Sequence, residues 1–175
     1  MIVVGIAPGL RHLSYCVLLF REPGGFGEQV DSDILKTGRG EIGLDQGIWR
    51  SKVATHCRLL EIVFERASPA VVAVGPALDP DEPELQVEVA RLVLRAFAMG
   101  PCAQWVRSYY EWKTPDELGR VLGVKPPKFR PALKAHLKEP GTIRARQIQH
   151  AAAVAIAGRV TETVPRETIL VKVRR

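Results

Sequence analysis

The sequence lacks the cysteine pairs that a disulfide framework or a zinc site would need. Cys16, Cys57 and Cys102 are its three cysteines, and they lie far apart with no CxxC pair. It also lacks an apolar run of about 20 residues, the length of a membrane-spanning helix. No basic segment followed by an apolar stretch marks a secretory signal at its start. These absences predict buried free thiols and a cytoplasmic protein.

Acidic residues are scarce in the second half of the chain. Residues 1–100 carry 10 Lys and Arg against 13 Asp and Glu, a net charge of −3, whereas residues 101–175 carry 15 against 6, a net charge of +9. A basic half favours a polyanionic partner such as nucleic acid, because each neutralised phosphate releases condensed counterions. The alternative is a solvated surface that is basic without binding anything.

Apolar runs separated by turn residues predict alternating strands and helices. The predicted strands cover residues 2–6, 14–20, 31–38, 70–74, 104–108 and 169–173. The predicted helices cover residues 44–67, a segment after the acidic turn at 79–83 that ends near residue 100, and residues 114–122, 129–137 and 142–158. This order is typical of an RNase H-like α/β fold: a mixed five-stranded sheet, with a β-meander and parallel strands, flanked by helices. Residues 1–175 are expected to form one domain.

The long helix at 44–67 has apolar residues at roughly helical spacing, which predict its buried face. These residues are Leu44, Ile48, Val53, Leu60, Val63 and Phe64.

Three segments together resemble the RuvC family of Holliday junction resolvases, within the RNase H-like superfamily. Residues 2–10 resemble its first strand and turn, with Ala7 in place of the first catalytic aspartate. Residues 71–75 resemble its fourth strand, with Gly75 in place of a catalytic glutamate. Residues 147–157 resemble its last helix, with Gln147 and His150 at its two ligand positions. The resemblance implies a homodimer, branched DNA as ligand and magnesium-dependent strand cleavage.

The chemistry of those four positions does not suit magnesium-dependent cleavage. Two-metal cleavage requires carboxylate oxygens that hold two Mg²⁺ ions about 3.5–4 Å apart. Ala7 and Gly75 offer no side-chain donor, and Gln147 and His150 offer only an amide and an imidazole. We therefore predict no catalytic residues, no metal and no cofactor. The predicted function is nucleic-acid binding by a degenerate RuvC-like protein, with four-way junction DNA as the candidate ligand.

Basic residues of the second half are the candidate nucleic-acid contacts. They are Lys113, Arg120, Lys125, Lys128, Arg130, Lys134, Lys138, Arg144 and Arg146. Arg130, Lys134 and Lys138 follow helical spacing one residue after the apolar Phe129, Leu133 and Leu137, so the two sets should form an exposed and a buried side. A solvated helix face without a ligand is the alternative.

Two other functions remain open from the sequence. A nuclease with a displaced metal site could use Mg²⁺ with Asp79 or Asp81 and His150, although acidic residues before a helix ordinarily cap it. An RNase H-like scaffold for protein–protein interaction is the other. His12, just past the first turn, is a further candidate site residue, but a single histidine is more often a hydrogen-bonded structural group.

Overall fold

A central five-stranded sheet organises the computed structural model of the chain, which describes residues 1–9, 11–21, 26–36, 46–75, 83–100, 106–108, 126–137 and 143–163. The strands are β1 Ile2–Ala7, β2 His12–Leu19, β3 Glu28–Lys36, β4 Val71–Val74 and β5 Val106–Ser108. The helices are α1 Gln46–Ala67, α2 Pro83–Ala98, α3 Pro126–His136 and α4 Ile143–Thr163.

The sheet is mixed, as predicted. Its strand order is β3-β2-β1-β4-β5. The first three strands in the chain form an antiparallel meander, and β4 and β5 continue from β1 in parallel. β1 lies at the centre and is buried on both faces, which explains its unbroken apolar sequence.

Alternate residues of β1 face two different helical layers. Val4 and Ile6 pack in one core with the inward residues of α1 and α2. Val3 and Ala7 pack in the other core with α4, and α3 joins this layer through Leu133. The described residues thus form one sheet with a helical layer on each face. The assignment of residues 1–175 to one domain stays a prediction.

Helix α4 packs very closely on the sheet. Every residue from 151 to 157 is buried, so this segment is covered on all sides. A Cβ atom added at Gly158 would lie 2.9 Å from the Cβ of Ala73. Gly158 therefore permits close helix–sheet contact from inside the helix, and α4 continues to Thr163, beyond the predicted end.

The buried face of α1 differs in part from the prediction. Val53, Leu60 and Phe64 are buried, but Ile48 and Val63 are 51% and 42% exposed. The buried residues 53, 57, 60 and 64 advance by three or four positions, so they share one face. Residue 48 lies five positions before 53, and residue 63 lies one before 64, so both point away from that face. The prediction was wrong at these two positions, and Leu44 lies outside the described residues.

Other boundaries shift by a few residues. β3 begins at Glu28, three residues earlier than predicted, because the meander pairs Glu28 with Leu19 across a register shift in β2. α3 begins at Pro126, because prolines fit the first helical turn, where backbone N–H groups have no partner. The predicted helix at 114–122 and strand at 169–173 lie outside the described residues.

Cys16 and Cys57 are buried and form no disulfide, as predicted, and Cys102 lies outside the described residues. Burial raises the pKa of the Cys57 thiol to about 12, and the nearby carboxylate of Glu61 adds to this. Among the described helices, none is both long and apolar enough to cross a membrane.

Candidate functional site

The candidate site lies where β1 ends and α4 begins. β1 ends at Ala7, and Pro8 and Gly9 turn the chain toward β2. The turn is tight: a Cβ atom at Gly9 would lie 2.6 Å from the carbonyl oxygen of His12. Glycine therefore lets the chain return within a few residues and brings His12 and Ser14 next to the end of β1.

A pocket of about 180 Å³ opens at this point. Its lining residues come from the turn, the start of β2 and the first turns of α4: Ala7, Pro8, Gly9, His12, Ser14, Arg146, Gln147 and His150. Three of the four positions singled out by the family resemblance therefore meet in one pocket. His12 and Arg146, which the sequence also indicated, line it as well.

Gly75, the fourth position, does not line this pocket. Its backbone N–H donates to the carbonyl of Ile6 at 2.9 Å, which continues the parallel pairing of β1 and β4. A Cβ atom at Gly75 would lie 3.3 Å from Cγ1 of Val154 and would overlap its Cγ2. Helix α4 therefore occupies the space that a longer side chain at this position would need.

Hydrogen bonds join the two sides of the pocket. The amide nitrogen Nε2 of the Gln147 side chain lies 3.2 Å from Nδ1 of His12. The hydroxyl of Ser14 lies 3.2 Å from the backbone carbonyl of Gln147 and 3.4 Å from that of Ala7. These contacts connect β2 with α4 across more than 130 residues of chain and hold the polar side chains in place.

His12 lies in a positive environment. Burial lowers the pKa of His12, and the nearby cations Lys36 and Arg11 lower it further. The neutral imidazole is therefore favoured at neutral pH, and as an acceptor its Nδ1 suits the amide donor of Gln147. His150 is buried beside it on α4.

The lining of this pocket does not fit a pair of magnesium ions. Hard divalent cations take oxygen ligands, chiefly carboxylates. No acidic residue is among the described residues that line the pocket, and their side-chain donors are imidazole, amide, hydroxyl and guanidinium groups. Across the described parts of the chain, no group of three or more His, Cys, Asp and Glu residues is placed to hold a metal. The proposed alternative ligands Asp79 and Asp81 lie outside those parts.

The structure describes only some of the predicted nucleic-acid contacts. Lys128 and Lys134 are exposed on α3, and Arg146 is exposed at the pocket. Arg130 lies on α3 and Arg144 on α4. Lys113, Arg120, Lys125 and Lys138 lie outside the described residues.

Helix α3 has the predicted buried and exposed sides at the residues whose side chains the structure describes. Leu133 and Leu137 are buried against the core of α4, and Lys134 is exposed next to Leu133. α3 and α4 share one face of the sheet, so Lys134 belongs to the same helical layer as Arg146. We call the exposed residues Lys128, Lys134 and Arg146 the basic layer.

Sequence reasoning missed Ser14. Its signal was a polar residue inside an otherwise apolar strand, directly after the Pro-Gly turn. A buried hydroxyl needs a partner, and the two carbonyls supply it.

The fold of this chain is similar to the folds of several solved structures. No protein-family model matches the chain, and no curated protein is similar to it by sequence. RuvC from Thermus thermophilus superposes with a TM-score of 0.64 over 93% of this chain and 97% of its own, at 22% identity. The same organism's RuvC in complex with a Holliday junction substrate gives 0.62 over 89% and 91%, also at 22% identity. The yeast mitochondrial Holliday junction resolvase Ydc2 gives 0.54 over 97% and 83%, at 16% identity.

These likenesses define the class of fold first: an RNase H-like α/β sheet with a helical layer on each face. Within that class, the chain has the RuvC form of the fold, which it shares over nearly its whole length with T. thermophilus RuvC. The fold predicted from the sequence is confirmed.

Proposed function

We propose that this chain binds branched nucleic acid, with four-way junction DNA as the preferred ligand, and does not cleave it. The observation that carries the proposal is the pocket at the end of β1, where three of the four positions implied by the resemblance meet. Its described lining includes an arginine and two histidines and no carboxylate. The proposed setting is the cytoplasm.

The absence of cleavage follows from the donor set. Two metal ions bring several positive charges close together, and carboxylates must balance them. Ala7 contributes no donor, and Gln147 and His150 are neutral or basic. The position of Gly75 is occupied by Val154 of α4. Among the described residues, the pocket therefore lacks the carboxylates for the charge balance, and the space beside Gly75 is filled by Val154.

Binding to nucleic acid is supported by the basic layer and by the solved structures. Lys128 and Lys134 are exposed on the helix that packs against α4, and α4 carries Arg146 at the pocket. Cations on one surface attract a phosphate backbone regardless of sequence. One of the superposed structures is a RuvC bound to a Holliday junction substrate.

A homodimer is part of the proposal, as the resemblance to RuvC implies. The inner face of α2, through Val89, Val93 and Phe97, is already used in the core of the chain itself. Large exposed apolar side chains lie instead on α1, where Leu59 and Ile62 are both more than half exposed. The resemblance implies a contact through the helix of residues 85–96, which lies in α2. The exposed side chains of α1 are a second candidate surface, and the molecular mass in solution tests whether a dimer forms.

The decisive experiment compares a four-way junction with a linear duplex of the same arm sequence, by gel shift and fluorescence anisotropy. Each is measured at two salt concentrations, with EDTA and with Mg²⁺. We expect tighter binding to the junction in EDTA, a steep loss of affinity with salt and intact strands after incubation with Mg²⁺. Strand cleavage in Mg²⁺ or Mn²⁺ that Asp79→Asn abolishes would instead establish a displaced metal site. Failure to bind either DNA would favour a protein-binding scaffold.

A further inference from the structure

The polar side chains of the pocket are all of the kind that binds anions. Arg146 supplies a guanidinium, Gln147 an amide N–H, and His12 and His150 imidazoles. In the part of the chain that the structure describes, no acidic residue lines the pocket, so no described carboxylate repels a negative charge there.

The donors are held from two elements. His12 and Ser14 belong to β2, and Gln147 belongs to α4. The contact from Gln147 to His12 and the one from Ser14 to the Gln147 carbonyl fix these elements relative to each other. His12 and Gln147 are thus arranged before any ligand arrives, which lowers the entropy cost of binding.

The electrostatic field at the pocket favours an anion. Arg11 and Lys36 lie close enough to His12 to act on its charge state. Arg146 lines the same pocket from α4. The pocket volume, about 180 Å³, is several times the roughly 30 Å³ that one water occupies in the liquid, so a phosphate group can enter in place of waters.

We propose that this pocket binds a phosphate group directly, without a metal ion, through the side chains of His12, Arg146 and Gln147. This deepens the proposed function and rests on it for the source of the phosphate, which is the backbone of the bound nucleic acid. Free inorganic phosphate offers the same chemistry, so the experiment has to distinguish the two sources.

The first arm tests the pocket alone. Inorganic phosphate is titrated into the metal-free protein in EDTA, with calorimetry and with the ring signals of His12 and His150 as NMR reporters. Sodium chloride at equal ionic strength is the control. We expect saturable shifts with phosphate and not with chloride, and about a tenfold loss of phosphate affinity in Arg146→Ala, since one charge-assisted hydrogen bond is removed. The exposed position of Arg146 means that the variant should fold, and its thermal melt checks this.

The second arm tests the source. Junction DNA is titrated into the wild-type protein, into Arg146→Ala and into Lys52→Ala, which removes an exposed cation from α1 on the opposite face of the sheet. If a DNA phosphate occupies the pocket, DNA shifts the His12 signal, inorganic phosphate competes with DNA, and only Arg146→Ala weakens DNA binding, by about tenfold.

The outcomes separate this inference from the proposed function. Equal responses to phosphate and chloride overturn the pocket inference even if DNA binds. A saturable phosphate response in a protein that binds no DNA overturns the proposed function and assigns the pocket to free phosphate. DNA binding that is unchanged in Arg146→Ala, with no shift of His12, also excludes the DNA backbone as the occupant.

Discussion

Replacing Gly75 with alanine tests whether α4 has closed the fourth position of the site. The added Cβ would lie 3.3 Å from Cγ1 of Val154 and overlap its Cγ2, and Val154 is buried at 4% exposure. Overpacking of a core costs about 1–3 kcal/mol. Against this, alanine restricts the unfolded chain and offsets about 0.4–1 kcal/mol, because the φ angle of Gly75 lies outside the left-handed region. We expect a net loss of about 1–2 kcal/mol in the free energy of unfolding.

The contact itself is measured by a double-mutant cycle with Val154→Ala. Removing two buried methyl groups should cost about 2 kcal/mol by itself. In the double variant the new Cβ occupies space that Val154 vacates, so the two costs should not add. We expect a favourable coupling energy of about 1–2 kcal/mol. Val93→Ala is the control, because Val93 is fully buried in the core on the other face of the sheet. Its effect should add to that of Gly75→Ala within about 0.5 kcal/mol.

Urea and thermal unfolding monitored by circular dichroism give these values, and 1 kcal/mol corresponds to a Tm change of roughly 2–4 °C for a chain of this size. A neutral or stabilising Gly75→Ala, or a coupling below about 0.5 kcal/mol, would refute the reasoning. The space beside Gly75 would then be open to a side-chain atom without a cost in stability.

The other predictions concern chemistry at three places. Ala7→Asp alone should not produce Mg²⁺-dependent strand cleavage in a nicking assay, because one carboxylate cannot balance two ions, and robust cleavage would show that the other ligands are present. Lys134→Glu should weaken binding to any DNA sequence by about fivefold or more in anisotropy titrations. The control Lys52→Glu, on the opposite helical layer, should not weaken it. Equal effects of the two substitutions would show that α3 is not part of the DNA interface. At a pH near the ordinary thiol pKa of about 8.5, Cys57 should react with iodoacetamide far more slowly in the folded than in the unfolded protein, because burial raises its pKa to about 12 and keeps it protonated. Equal rates, read by mass spectrometry, would mean that Cys57 is accessible.

Elements with unbroken apolar sequence could be predicted from the chain alone. β1, β4 and the segment 151–157 are buried on both faces. No buried face has to be distinguished from an exposed one, so the apolar sequence alone predicts their burial. The exposed sides of α1 could not be predicted with the same accuracy. Its apolar residues exceed what one face can bury, and only packing against α2 and the sheet leaves Ile48 and Val63 outside.

The site was predictable in composition but not in arrangement. The absence of acids at Ala7, Gln147 and His150 can be read from the sequence once the resemblance is noticed. That these residues share one pocket with Ser14 depends on contacts between β2 and α4, over 130 residues apart in the chain. Gly75 does not line the pocket, and Val154 of α4 lies against it instead. This contact depends on the distance between α4 and the sheet, which small residues on both surfaces determine together.

The amino-acid sequence by itself determined which chemical groups the chain has and in what order: a basic second half with few acids, and the succession of strands and helices. Charge is a sum over residues, and strands and helices follow local patterns, so both can be read from the sequence without coordinates. Only the tertiary structure decided that the groups near His12 form one pocket and that Val154 fills the place beside Gly75. Both results depend on how closely a helix approaches a sheet, and that distance is determined by side chains that are far apart in the sequence.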